Sequence, residues 1–197
     1  MSAQCQKILN HVSKHIDLTS EEAEHFSSLL QFKALPRQSV ILKSGNSCNT
    51  INYVNTGVLR AFYTDDKDKE STIMFAIADW WITDMHSFIN QTPATLTIEV
   101  IEDCSLAQLS KASLDKLFVD IPKFERLFRI MMQNAYIREQ VRVLQNLSQS
   151  AEERYENFIR KYPQISNRVT QKQIASYLGI TPEFLSALRK NRATKKS

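Results

Sequence analysis

Polar and apolar positions change period three times along the chain, and each change predicts a different kind of element. The first 30 residues have helical spacing. In "LTSEEAEHFSSLL" Thr19 stands three positions before Glu22, the arrangement in which a hydroxyl and a carboxylate each satisfy a free backbone N–H at a helix start. Phe26, Leu29 and Leu30 then fall on one face. From residue 31 to 110 the runs are short and rich in β-branched and aromatic residues: "QSVILK", "TINYVN", "VLRAFYT", "STIMFAI", "TLTIEVI" and "CSLAQLS". The polar segments "KSGN", "NTG" and "DDKDKE" separate them and read as turns, which predicts a β-roll or barrel. Gly45 and Gly57 lie in two of these turns, where a left-handed backbone suits glycine.

After Pro122 the period is helical again for about 25 residues without glycine or proline. Leu127, Ile130, Asn134, Ile137, Val141 and Leu144 follow one another at spacings of three and four, a heptad seam of the kind that pairs two helices. The alternative is a single amphipathic helix buried against its own domain. A second apolar line through Phe124, Phe128, Met131 and Ala135 is placed to pack on the β-region. "LSQSAEERYENFIRKYPQIS" carries a further amphipathic helix, marked by Tyr155, Phe158, Ile159 and Tyr162 and ended by Pro163.

The last segment, "VTQKQIASYLGITPEFLSALRK", is densely punctuated. Thr170 and Gln173 form a second capping box, and Gly179 follows Leu178 where a helix needs a left-handed residue to stop. Thr181 can cap the next helix, with Pro182 at its first position and Glu183 near the positive end of its dipole. Two short helices joined by a glycine match a helix-turn-helix. On the second helix Thr181, Phe184, Leu185 and Leu188 are expected to face Ile174, Ala175 and Leu178. Glu183, Ser186, Ala187 and Lys190 occupy the opposite face, and Glu, Ser and Lys are types that address base edges. Arg189 and the "NRATKK" tail, with Arg192, flank that face at positions suited to phosphates. Thr170, Gln171 and Pro182 complete the expected DNA-facing set.

Charge strengthens that reading. The chain of 197 residues has a net charge of +4, yet Arg168 to Ser197 sums to +6 and the first 167 residues to −2. A basic segment on a near-neutral body is the electrostatic footprint of a nucleic-acid contact, the alternative being a solvated basic tail. Three scattered cysteines, Cys5, Cys48 and Cys104, suggest a reducing compartment rather than a disulfide framework. With no secretory signal and no apolar run long enough for a bilayer, a cytoplasmic location away from membranes is expected. Seven residues follow Lys190, too few for a β-wing.

These features together resemble the Crp/Fnr transcription regulators, over nearly the whole chain. "SAEERYENFIRKYP" and "QKQIASYLGITPEFLSALRK" are most similar to members of Bacteroidetes-type bacteria. The resemblance implies an α+β fold: a jelly-roll-like, cyclic-nucleotide-binding-like β-roll with flanking helices (1–120), a long dimerisation helix (121–148) and a helix-turn-helix domain (149–197). It implies a homodimer on a two-fold-related DNA site, with RNA polymerase and a small-molecule effector as further partners. The family's base-reading positions fall on Pro182, Glu183 and Ala187, and Ala187 replaces the usual arginine.

The sensory half departs from relatives that bind cyclic AMP. Thr83 and Asp84 stand where a glycine–glutamate pair is found, and Ala94 or Thr95 where an arginine meets the phosphate. Between Ala76 and Gln108 there is no Lys or Arg, against five acids, Asp79, Asp84, Glu99, Glu102 and Asp103. A buried phosphate needs donors and a compensating charge, so cyclic AMP is not expected to bind. Trp81, Thr83, Asp84, Met85 and Thr95 are the candidates for an effector pocket, with Trp80 beside them.

No cofactor is expected. Three dispersed cysteines do not make an iron–sulfur site, and His11 and His15, at i and i+4, have no third ligand nearby. His86 alone is no ligand set. An enzyme on a β-roll would need clustered histidines with a carboxylate, and residues 31–110 contain only His86. The remaining alternative is a signalling module whose β-roll binds a ligand while the C-terminal helices serve only as packing.

Overall fold

The computed structural model describes the backbone over residues 2–194 and the side chains as far as Asn191. Two helices, α1 (Ala3–Val12) and α2 (Ser20–Ser28), lead into six strands. These are β1 (Leu30–Leu35), β2 (Val40–Leu42), β3 (Thr50–Thr64), β4 (Glu70–Ala76), β5 (Trp81–Ile82) and β6 (Thr97–Ser110), with a short helix α3 (Met85–Asn90) between the last two. Then come α4 (Lys111–Asp120), the long α5 (Lys123–Ser148), α6 (Ala151–Lys161), a single turn α7 (Pro163–Ser166), α8 (Gln171–Leu178) and α9 (Pro182–Thr194). The expected α+β architecture is present, and the capping box at Thr19 and Glu22 forms as the sequence predicts.

All strand pairings are antiparallel, in the order β1-β6-β3-β4, with β2 also on β6 and β5 also on β3. Two long strands therefore organise the sheet. "TINYVN" and "VLRAFYT" are not two strands around a turn but one strand, β3, of 15 residues. Likewise "TLTIEVI" and "CSLAQLS" form the single strand β6. The register between β3 and β6 shifts around Thr56 and Val58, so Gly57 sits in a bulge, not in a turn. A bulge bends a strand without ending it, which lets β3 and β6 curl into a roll. Gly57 has φ +97°, and a Cβ there would lie 2.5 Å from Cβ of Cys104 and 2.7 Å from the Asp103 carbonyl oxygen.

Alternation along these strands fills two cores. Val54, Leu59, Ala61, Ala76, Ile98, Val100 and Leu106 point into the roll. Their neighbours Val58, Phe75 and Ile77 point out of it, and they are buried all the same. They pack against Tyr155, Phe158, Ile165, Ile174, Ala175, Leu178 and Leu185 of the C-terminal helices. A third core joins α1, α2, α3, α4 and the start of α5 to the N-terminal half of β3 and the C-terminal half of β6. Arg60, only 4% exposed, reaches Glu70 on β4 and Glu99 on β6, so one buried cation ties three strands together.

Gly57→Ala is expected to lower the unfolding free energy by roughly 3 kcal/mol, from left-handed strain plus collision with β6. Gly45 has φ +87° and nothing within 4 Å of the place a Cβ would take, so Gly45→Ala meets the strain alone and costs less. Urea unfolding of the two variants measures the difference.

Candidate nucleic-acid interface and cavity

The helix-turn-helix assembles from its own caps. Thr170 Oγ1 accepts from Gln173 N at 3.2 Å while Gln173 Oε1 accepts from Thr170 N at 2.9 Å. Gly179 ends α8 at φ +68°, and Thr181 Oγ1 accepts from Phe184 N at 3.2 Å. Leu185 is fully buried against α8 and α6 and fixes how α9 lies. Thr170, Gln171, Thr181, Pro182, Glu183, Ser186, Ala187, Arg189 and Lys190, of the expected DNA-facing set, are each exposed. Phe184 departs from expectation: it is 49% exposed, and of Thr181, Phe184, Leu185 and Leu188 only Leu185 is buried, in the core that includes α8. The side chains of Arg192, Lys195 and Lys196 lie outside the described residues.

The underside of this unit is locked to the roll. Ser176 of α8 donates to the Glu70 carbonyl at 2.7 Å and accepts from Thr72 N at 2.8 Å, an extra hydrogen-bonded rung on the edge of β4. Arg142 of α5 donates to the carbonyls of Ile73 and Thr72, and its guanidinium lies 4.7 Å over the Tyr177 ring. Arg168, counted with the basic segment, is bound to Glu102 of β6, with Nε 3.0 Å from Oε2. That charge is neutralised within the protein and belongs to docking. Sequence reasoning missed Ser176 and Arg142; neither residue type nor spacing marks them, since their partners are backbone atoms about 70 or more residues away.

On α5 the heptad positions part company. Leu127 is only 4% exposed and belongs to the N-terminal core, so it is not available to a seam. Ile130 is half-buried, and Asn134, Ile137, Val141 and Leu144 are exposed. Tyr136, Val143 and Leu147 widen this uncovered apolar face, Leu147 being 81% exposed. Phe124, Phe128 and Met131 pack inward as the second apolar line predicts.

Between the roll and α5 lies a cavity of about 590 Å³. All five effector candidates, Trp81, Thr83, Asp84, Met85 and Thr95, line it, as do Trp80 and His86. Methionines from both walls, Met74 of β4 with Met131 and Met132 of α5, complete it, and no local pattern in the chain signals that these would meet.

Asp84 is 2% exposed and its carboxylate is fully engaged. Oδ2 accepts from Thr95 N at 2.8 Å, Thr95 Oγ1 at 2.9 Å and Leu96 N at 3.0 Å, and Oδ1 caps α3 through Ser87 N at 3.2 Å. Burial raises the pKa of this group, but the amides of Leu96, Thr95 and Ser87 outweigh it and hold the carboxyl below its usual range. The amides that could cradle an anion are thus occupied by the protein's own anion.

Cys5 of α1, Cys48 in the loop before β3 and Cys104 of β6 are buried and form no disulfide, and burial pushes the Cys104 thiol up to about 11. Among the described residues no three His, Cys, Asp or Glu side chains are grouped to hold a metal, and no helix is long and apolar enough to cross a membrane.

Because the folded pKa of Asp84 lies below its unfolded value, its stabilisation is complete above roughly pH 4 and fades as pH falls through the folded value. Asp84→Asn should therefore cost about 2 kcal/mol at neutral pH and flatten the acid limb of thermal midpoint against pH. Calorimetry from neutral to acid pH reads both effects.

Comparison with known proteins places this architecture. Residues 32–120 match the cyclic nucleotide-binding domain. The chain is 22% identical to an anaerobic regulatory protein of Haemophilus influenzae over 185 residues, 87% of this chain and 70% of that protein. A putative transcriptional regulator of the Crp/Fnr family from Eubacterium rectale superposes with a TM-score of 0.72 at 18% identity, over 91% of this chain and 85% of the other. FixK2 from Bradyrhizobium japonicum gives 0.74 at 17% identity, over 85% and 86%. The architecture is a β-roll, within which residues 32–120 match that domain, followed by a helical C-terminal unit. The chain has the fold of the Crp/Fnr regulators, and the relatives named are regulators.

Proposed function

We propose that this chain is a transcription regulator that binds DNA as a homodimer through α9, acting in the cytoplasm under an effector other than cyclic AMP. The observation that carries the reading is the exposed set on α8 and α9. Leu185 holds the helix while Thr181, Glu183, Ser186, Arg189 and Lys190 stay open to solvent. Glu183 and Lys190 supply an acceptor and a donor for base edges, and Ser186 either role. Ala187 has only a methyl group, so a guanine contact from that position is absent.

The division follows the same elements: a sensory unit over 1–120, a dimerisation helix over 121–148 and a DNA-binding unit over 149–197. The uncovered face of α5, centred on Ile137, Val141 and Leu144, fits the same helix of a second chain. Asn134 within it is the kind of polar residue that fixes register. Two-fold pairing would set two copies of α9 for half-sites about one helical turn apart. RNA polymerase is a partner of such a regulator, with contacts beyond these residues.

Selection from a random DNA pool should enrich a palindrome with half-site centres roughly one turn, or about 10 bp, apart. Arg189→Ala should reduce the slope of log affinity against log salt by about 1 while leaving sequence preference intact, and Lys190→Ala should reduce the slope by about 1 and also relax preference at one position. Glu183→Ala should relax preference at one position, at roughly 1–3 kcal/mol. An unenriched pool, or slopes unchanged by the basic substitutions, removes the DNA reading. Val141→Asp with Leu144→Asp should give a monomer by sedimentation and no change in the unfolding of the roll; a dimer that persists removes the α5 interface.

A further inference from the structure

Where the second half of α5 meets α6 and the end of α8, the four cations Arg138, Arg142, Arg154 and Lys161 line one cleft of about 40 Å³. Among the described residues no carboxylate lines it with them. Glu139 stands 4.0 Å from Arg138 and 3.5 Å from Arg142, so a single carboxylate serves both guanidiniums. Helical spacing turns Glu152 and Glu156 to the side of α6 opposite Arg154 and Lys161. Glu153 is engaged in the capping box at Ser150.

The groups that hold these cations in place leave their charge uncancelled. Arg142 is fixed by the carbonyls of Ile73 and Thr72. Arg154 donates to the Gln149 carbonyl at 2.8 Å and to the Leu178 carbonyl at 3.3 Å. The Trp80 ring lies against Arg138 and the Tyr177 ring against Arg142. Carbonyls and aromatic faces orient a guanidinium through their dipoles and quadrupoles, and the net positive charge remains. Like charges gathered in one cleft repel one another, and a counter-ion removes that repulsion.

Arg138 and Lys161 keep donors open to such an ion. The guanidinium of Arg138 makes no hydrogen bond among the described residues, and its side chain is 32% exposed. Lys161 is exposed, with its ammonium 5.3 Å over the Tyr162 ring and no carboxylate partner among the described residues. The side-chain amides of Gln145 and Asn146 border the same cleft. Its volume has room for about three water molecules, the space of one tetrahedral oxyanion and too little for a nucleotide.

We infer that this cleft binds a phosphate-type oxyanion, with Arg138 and Lys161 donating to its oxygens and Arg142 and Arg154 supplying fixed positive charge. Such an ion offers several acceptors to the fork of a guanidinium. Its binding ties neighbouring elements together, because Arg138 belongs to α5, Lys161 to α6, and Arg154 is bonded to the end of α8. The site is distinct from the cavity between the roll and α5, with which it shares only Arg138.

Calorimetric titration of the full chain with potassium phosphate, in Tris-chloride at fixed ionic strength, tests the assignment. One phosphate per chain should bind with a dissociation constant of roughly 1 mM or below and raise the thermal midpoint. Lys161→Met should weaken binding about threefold and Arg138→Gln about tenfold. Thermal midpoints in chloride alone show whether each variant is folded, and the exposed Lys161 gives a variant that leaves the packing untouched. Lys116→Met, at an exposed position of α4, removes the same charge elsewhere and should leave binding unchanged. Glycerol 3-phosphate separates the sources of the group: weaker binding than inorganic phosphate supports the free ion, and tighter binding supports the same site for a phosphomonoester. Heats that follow ionic strength alone, or isotherms that Lys161→Met and Arg138→Gln leave unchanged, overturn the site. Phosphate that fails to bind, with Lys161→Met flattening the salt dependence of DNA affinity, makes the cluster a contact for the DNA backbone and overturns the small-anion site while the regulator reading stands.

Discussion

Alternation along β3 and β4 is the constraint on which the rest of the molecule depends. A strand with one apolar face can roll up and expose its other face to water. Here both faces are apolar where it matters, since Leu59 and Ala76 fill the roll while Val58, Phe75 and Ile77 point outward. That outer face must be covered, and α6, α7, α8 and the first turns of α9 cover it. The C-terminal helices are therefore placed by the sheet and not by the linker, and Ser176, Arg142 and Arg168 then select one orientation among those the apolar contact permits. Non-directional burial supplies the attraction and directional hydrogen bonds supply the register.

The same strand gives the sheet a second duty. Ile73 and Met74 of β4 border the cavity, while Glu70 and Thr72, a few residues along, hold Ser176. Trp80 touches the cavity on one side and the Tyr162 ring, 5.9 Å away, on the other. The wall of the cavity is thus the surface on which the C-terminal helical unit rests. Asp84 fits this arrangement. By capping α3 and holding the amides of Thr95 and Leu96, it organises the cavity's rim with a fixed internal anion, and what remains of the interior is apolar.

Much of this is legible from spacing. The capping boxes at Thr19 and Thr170, the stop at Gly179 and the buried Leu185 follow from local rules, because caps and helical faces involve residues within four positions of one another. The five effector candidates do share one cavity, since they come from a single short segment. Gly57 escapes such rules for an equally physical reason. A polar "NTG" with a positive-φ glycine looks the same in a turn and in a bulge, and only the partner strand distinguishes them. Phe184 and Leu127 depart from their expected surroundings because helical spacing gives an angle on a wheel, and the angle does not say how far a neighbouring element extends.

By itself the sequence determined the element types, the basic C-terminal segment, the caps of the helix pair and the absence of Lys and Arg between Ala76 and Gln108. These are properties of neighbours in the chain or of composition, and they do not change with folding. Only the tertiary structure decided that Arg168 is neutralised by Glu102, that Asp84 occupies the amides an anion would seek, and that four methionines and two tryptophans enclose one space. Each of these depends on which distant residues the β3–β6 pairing and the covered face of β4 bring together. A hydrogen bond or an ion pair acts over a few ångströms, and only the fold sets which residues come that close.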